Sequence, residues 1–277
     1  MKTILVVDDD RATRHLLRGL LESRGYSVAI AADGPEALAQ IDQRDFDLLL
    51  VDVWLPGMSG LDLLRELKTR AARPPVIVMT ADDTPSTLLR AVREQAHRYI
   101  HKPVEPARLL QAVEAALAAG PGLRPIEVLS AKPDWVELLV PCEIDAAERI
   151  QLFLSQLDAD LPAGVRETVG MAFRELLMNA IEWGGQLDPT RNVRISYLRA
   201  RRMVLYRIAD PGRGFRFDEI THSAVTNPEG QPLEHIRARE EKGLRAGGFG
   251  ILMARELVDE LLYNEAHNEV VFVKYLD

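Results

Sequence analysis

Five short strand-like runs punctuate residues 1–119: ILVV (4–7), SVAIA (27–31), DLLLV (47–51), VIVM (76–79) and YIHK (99–102). Most are apolar on both faces, so they have no side to offer to water. Such strands belong inside a sheet that is covered above and below. The intervening segments 11–24, 34–43, 60–72, 84–96 and 105–118 carry apolar residues at helical spacing. Buried strands alternating with helices predict a doubly wound α/β domain with a parallel sheet.

In a sheet of that kind, ligands bind beyond the carboxyl ends of the strands. Asp8, Asp9 and Asp10 follow the first run, Asp52 the third, Thr80 the fourth and Lys102 the fifth. Separate strand ends therefore bring carboxylates, a hydroxyl and an ammonium to one rim. Clustered carboxylates repel one another, and a hard cation such as Mg²⁺ relieves that repulsion. A lysine beside them suits a second, anionic visitor such as a phosphoryl group.

The segments VVDDD, VDVWLPGMSGLDLL, VIVMTA and YIHKP together resemble a response-regulator receiver domain, over essentially all of 1–119. The resemblance implies that Asp52 accepts a phosphoryl group from a cognate sensor histidine kinase, the domain catalysing its own phosphorylation and dephosphorylation. It implies that Asp8 and Asp9, with Asp52 and the Trp54 carbonyl, hold Mg²⁺. It assigns Thr80 and Lys102 to the phosphoryl oxygens, makes Lys102–Pro103 a cis bond, and gives Tyr99 the place of the aromatic that changes rotamer on activation.

Residues 120–134, GPGLRPIEVLSAKPD, read as a connector rich in Gly and Pro. The remainder, 135–277, has a different rhythm. WVELLVPC reads as a strand, 145–158 and 163–183 as helices, and NVRISYLRA with MVLYRIAD as a hairpin pair. A helix is expected over 249–262, and LLYNEAHNEVVFVKYL as a last hairpin turning at His267–Asn268. This half reads as α+β.

Three local signals occur there in order. In FRELLMNAIEWGG, Glu175 and Asn179 are spaced i, i+4 and share one helix face, opposite Val165, Val169, Ala172, Leu176 and Ala180. In ADPGRGF, Asp210 ends a strand ahead of Gly212 and Gly214. A carboxylate there can accept a hydrogen bond from an amino group, while the glycines let a flat base approach the backbone. In RAGGFGILMAR, Gly247, Gly248 and Gly250 lead into a helix, whose first N–H groups are free to meet phosphate oxygens. Each signal alone also fits an ordinary polar helix face, turn or hinge.

Together they resemble the N, G1 and G2 boxes of the GHKL ATPase fold shared by histidine kinases, gyrase and Hsp90-type chaperones, in its anti-sigma-factor serine kinase branch. The resemblance implies an α+β sandwich that binds ATP. Glu175 would be the catalytic base, Asn179 the Mg²⁺ ligand and Asp210 the adenine anchor. Gly212 and Gly214 would line the base pocket, and Gly247, Gly248 and Gly250 would lie under the phosphates. Residues 211–246 would include a lid, with Arg239, Lys242 and Arg245 candidates to reach a γ-phosphate. Trp183 stands where many members have His. A sensor kinase would place a phosphoacceptor His on a helical hairpin ahead of this fold, and there is no His between 102 and 221.

The expectation is a response regulator whose Asp52 phosphorylation controls an ATP-dependent serine/threonine kinase. Its protein substrate would be an anti-sigma antagonist or a sigma factor. The alternative is a nucleotide-binding module that switches partners without catalysis. A net charge of −8, no basic run and no helix-turn-helix pattern exclude direct nucleic-acid binding from this reading. The single Cys142 excludes a disulfide or a cysteine metal cluster. The start MKTILVVDDD is too short and acidic for a signal peptide, so a cytoplasmic, membrane-free protein is expected. A homodimer through either domain is compatible with the pattern, which does not decide it.

Overall fold

The apolar runs fold as β1 (Thr3–Val7), β2 (Ser27–Ala31), β3 (Leu48–Asp52), β4 (Val76–Thr80) and β5 (Arg98–His101). Between and after them lie α1 (Arg11–Glu22), α2 (Gly34–Gln43), α3 (Gly60–Leu67), α4 (Pro85–Arg93) and α5 (Pro106–Ala119). The structure is a computed structural model that describes residues 1–70, 73–82, 84–119, 124–132, 134–216 and 249–276. The chain divides into two units, Met1–Leu123 and Arg124–Asp277.

In the first unit every strand pair is parallel and the order is β2-β1-β3-β4-β5. Ile4, Val6, Leu48 and Leu50 face one buried cluster, and Leu5, Val7, Leu49 and Val51 face the other. That two-sided burial is why these strands read as unbroken apolar runs. Side-chain caps then fix where helices start. Asp10 accepts N–H bonds from Ala12 and Thr13 and so begins α1 directly after β1. Asp8 and Asp9 are thereby pinned in the two-residue gap between the strand and its cap.

The second unit is a six-stranded sheet, antiparallel throughout, in the order β10-β11-β9-β8-β7-β6. Its strands are β6 (Glu127–Lys132), β7 (Trp135–Pro141), β8 (Asn192–Ala200), β9 (Met203–Ala209), β10 (Glu260–Tyr263) and β11 (Glu269–Tyr275). Three helices, α6 (Ile144–Leu157), α7 (Ala163–Asn179) and α8 (Gly250–Leu257), join it. α6 packs on β7 and α7, and α7 packs on β9, β11 and α8. Strict alternation buries Val204, Tyr206 and Ile208 of β9 beneath the helices, whereas Arg207 faces the other way and pairs with Glu269.

Three boundaries differ from the sequence expectation. The connector 120–134 contains β6, an edge strand paired only with β7 and interrupted by a register shift between Val128 and Ser130. The helix expected over 249–262 ends at Leu257; Leu261 and Leu262, which the expected last hairpin also includes, pair with Phe272 and Val271 on β11. A run with Leu257, Val258, Leu261 and Leu262 satisfies helical and strand periods alike, and pairing with β11 decides it. The helix over 163–183 leaves α-geometry at Asn179 and continues as a π-turn, Ala180–Gly184.

The rotation of α7 is set from below. Phe173 meets the ring of Tyr206 at 5.1 Å, and Tyr206 stacks on Phe272 at 5.0 Å. Beneath these rings the buried Asp158 accepts hydrogen bonds from Tyr197 (2.9 Å) and Tyr206 (2.5 Å). Burial raises the Asp158 carboxyl above its ordinary range, and the two phenols work against that rise. Asp158→Ala would strand two buried hydroxyls, at roughly 1–2 kcal/mol each. Calorimetry is expected to show the second unit melting about 5–15 °C lower. A shift of only about 1 °C would show that the phenols find other partners.

Candidate functional site

The first unit gathers its acids at the carboxyl edge of the sheet. Asp8 is fully buried, Asp52 is 5% exposed and Thr80 is fully buried. Carboxylate oxygens of Asp8, Asp9 and Asp52 lie within 4.8 Å of one another. Lys102 answers them: its ammonium is 2.7 Å from Asp8 Oδ2 and also donates to Asp52 Oδ2. Burial pushes the Asp52 carboxyl up, while its hydrogen bond and attraction to Lys102 and the Trp54 N–H pull down. Burial alone would lower the Lys102 ammonium, but its hydrogen bonds to Asp52 and Asp8 win and hold it above the usual lysine range. Two buried carboxylates sharing one ammonium, with the exposed Asp9 carboxylate close by, fit a hard divalent cation as further counter-charge.

Neighbouring groups hold this rim still. Arg14 reaches back from α1 to the carbonyls of Asp8 (2.6 Å) and Asp9 (2.8 Å). Trp54 donates its N–H to Asp52 Oδ1 (3.1 Å) and leaves its indole 61% exposed. Thr80 Oγ1 accepts the Asp82 N–H (3.0 Å), and the Tyr99 phenol donates to the Asp82 carbonyl, so both grip the same loop. Lys102–Pro103 is cis. A Cβ at Gly60 would fall 1.9 Å from the Asp52 carbonyl, so only glycine lets α3 start against β3.

The second unit gathers a different set. Glu175 and Asn179 share one face of α7, and Gly250 opens α8 against them. A Cβ on Gly250 would lie 2.7 Å from Glu175 Oε2 and 3.6 Å from Asn179 Nδ2. Asn179 is the last α-helical residue before the π-turn, a distortion that recurs at functional sites. That turn brings Gly184 to Asp210, which follows β9: a Cβ on Gly184 would lie 2.2 Å from the Asp210 carboxyl carbon. Asp210 Oδ1 accepts the Gly212 N–H (2.7 Å). Burial raises the Asp210 carboxyl, against the pull of that N–H and of Arg191. Arg191 itself donates to the Pro211 carbonyl in the same loop. At these glycines the main chain packs directly against the Asp210 and Glu175 carboxylates, where a side chain would not fit.

Comparison with known proteins follows this division. Residues 4–114 match the response regulator receiver domain, and residues 140–274 match the histidine kinase-like ATPase domain. The DNA-binding response regulator MtrA of Mycolicibacterium paratuberculosis is 33% identical over 202 residues, which is 72% of this chain and 88% of that protein. This chain is a response regulator. The transcriptional regulatory protein ZraR of Salmonella typhimurium is 41% identical over 115 residues, 42% of this chain. The matched stretch spans 26% of ZraR. A receiver domain protein of Methanospirillum hungatei superposes with a TM-score of 0.41 at 37% identity, covering 43% of this chain and 95% of its own.

The response regulator thus brings Asp8, Asp9, Asp52, Thr80 and Lys102 to one rim, and in its ATPase domain seats Gly250 against Glu175 and Asn179, and Gly184 and Gly212 against Asp210. Gly214 sits one turn further along, at φ +81° against the Ala266 carbonyl. Gly247, Gly248, Arg239, Lys242, Arg245 and the lid portion 217–248 lie outside the described residues. Trp183 lies on the π-turn and is 44% exposed. Sequence reasoning passed over Arg14, Gly60, Gly184 and Arg191. Gly184 was open to discovery, because a glycine pair ending a polar-faced helix marks a close approach as readily as a cap. Among the described residues no helix is long and apolar enough to cross a membrane.

Gly184→Ala is expected to weaken binding of a fluorescent adenine nucleotide by about tenfold or more, and to add little in an Asp210→Ala background. An equal loss in both backgrounds would show that Gly184 does not act through Asp210.

Proposed function

We propose that this response regulator answers phosphorylation of Asp52 by changing the output of an ATP-dependent serine/threonine protein kinase of the anti-sigma type. The observation that carries the reading is Gly250 seated against Glu175 and Asn179: a carboxylate and an amide side by side where a glycine opens a helix.

In the receiver, Asp52 offers a carboxylate oxygen to the phosphorus of a phosphohistidine on a cognate sensor kinase. An acyl phosphate forms on Asp52 as the P–N bond to the imidazole breaks. Asp8, Asp9 and Asp52 are the residues that would hold Mg²⁺, which when bound supplies positive charge beside the phosphoryl oxygens. Lys102 already stands between Asp8 and Asp52, and Thr80 lies beside it at the strand edge, so both can turn toward the added oxygens. Movement of Thr80 or Tyr99 would release Asp82, which both now hold, and so carry the signal away from the rim.

In the ATPase domain, Asp210 would accept a hydrogen bond from the exocyclic amine of adenine, and Asn179 would supply a Mg²⁺ ligand. Glu175 would take the proton from a serine or threonine hydroxyl as that oxygen bonds the γ-phosphorus and ADP leaves. Phosphoryl transfer of this kind depends on positioning and charge neutralisation. Autophosphorylation on histidine is disfavoured by length as well as sequence: only residues 120–126 separate Ala119 of α5 from Glu127 of β6, too few for a helical hairpin. The DNA-binding output in the name of MtrA belongs to that protein; here residues 140–274 match an ATPase domain instead.

With labelled ATP, Mg²⁺ and partner proteins captured from the native host, transfer to a serine or threonine is expected. Glu175→Ala should slow it by about 10²–10⁴-fold while ATP affinity stays within about threefold. Wild-type rates in that variant would overturn Glu175 as base. A wild-type protein that binds ATP yet labels nothing would favour a partner-switching module. Asp52→Asn is expected to abolish the mass gain of one phosphoryl group on exposure to a phosphorylated sensor kinase.

A further inference from the structure

The loop that follows β9 is held from outside by the turn joining β10 to β11. Asp210 donates its N–H to the Asn268 carbonyl (2.9 Å), and the Asn268 side-chain amide donates to the Gly212 carbonyl (3.0 Å). Phe215 donates its N–H to the Ala266 carbonyl (3.1 Å). His267 Nδ1 lies 2.9 Å from the Phe215 carbonyl, which can only accept, so Nδ1 carries the proton. At Gly214 a Cβ would fall 1.6 Å from the Ala266 carbonyl. Loop and turn are therefore in backbone contact along their length.

The turn is itself braced. Asn264 Oδ1 accepts the N–H groups of Asn268 (3.1 Å) and Glu269 (3.2 Å), and Asn264 Nδ2 donates to Asn268 Oδ1 (2.8 Å). His267 takes φ +57°, a left-handed conformation uncommon for histidine, which the bonds on either side maintain. Its ring stacks on Phe215 at 5.3 Å and meets Tyr263 at 5.8 Å. Tyr263 in turn meets Phe215 edge-on at 5.9 Å. The Tyr263 phenol is pushed up by burial and by the Asp210 carboxylate.

We propose that His267 and Asn268 are positioning residues for the adenine end of the site, holding the Asp210–Phe215 loop through the Phe215 and Gly212 carbonyls. This deepens the nucleotide-binding reading above and rests on it. Both side chains act through the loop that carries Asp210. Their removal should therefore affect every ligand with an adenine to the same degree, whatever its phosphate count.

The test is isothermal titration of the full chain, with Mg²⁺, against a non-hydrolysable ATP analogue, ADP and adenosine. His267→Ala and Asn268→Asp should each weaken all three by a common factor of about 3–10. His267→Asn keeps an N–H donor at the same branch and tolerates positive φ, so it should return affinity to within about twofold of wild type. A melting curve for each variant confirms that it is folded at the assay temperature. Unchanged adenosine binding in folded His267→Ala and Asn268→Asp overturns the proposal, as does a loss confined to ATP. Wild-type protein that binds none of the three overturns the nucleotide reading itself, and this proposal with it.

Discussion

Three glycines in this chain let a helix end pack where no side chain would fit, against Asp52, Asp210 and Glu175. Gly60 lies where a methyl would strike the Asp52 carbonyl, Gly184 where it would strike the Asp210 carboxyl, and Gly250 where it would strike Glu175. Each glycine sits at or beside a helix end; Gly184 and Gly250 bring theirs against a carboxylate, and Gly60 brings its own against the Asp52 main chain. Removing the Cβ costs chain entropy, and that cost is tolerated where the backbone itself forms the wall of a site. Close packing at a glycine occurs in both units, whose sheets are unrelated.

The two units balance their acids differently. In the receiver, Asp8 and Asp52 are too buried to rely on water and share the ammonium of Lys102, with Asp9 adding a third carboxylate nearby. Three carboxylates against one ammonium leave that rim net negative, which favours a further cation. In the ATPase domain, Asp210 is served among the described residues by one N–H and by the attraction of Arg191, and burial raises its carboxyl. A carboxylate so lightly satisfied has acceptor capacity left for a ligand's amine.

Much of this is legible in the amino-acid sequence. ILVV, DLLLV and VIVM are apolar on both faces because two helical layers cover them, and that burial is a direct trace of the fold. The acids at their ends could be assigned to one rim from topology alone. Elsewhere the local signal was weak. β6 is a half-exposed edge strand between Pro125 and Pro133, so its alternation is blurred by Leu129, Ser130 and Ala131. Leu261 and Leu262 fit two periods, and only pairing with β11 separates them. The grip of Asn268 on Gly212 spans 56 positions and leaves no local pattern. Residues of this last kind are set by where the chain returns, which short-range spacing does not encode.

Equilibrium dialysis of radiolabelled ATP with Mg²⁺, against the folded full chain, tests the central claim most directly. One ATP per chain should be retained, and it should be displaced by excess adenosine but not by excess GTP, because on the proposed reading the Asp210 carboxylate would accept the adenine amine and repel the guanine carbonyl. Folded protein that retains no ATP, or that yields it equally to GTP, contradicts the account.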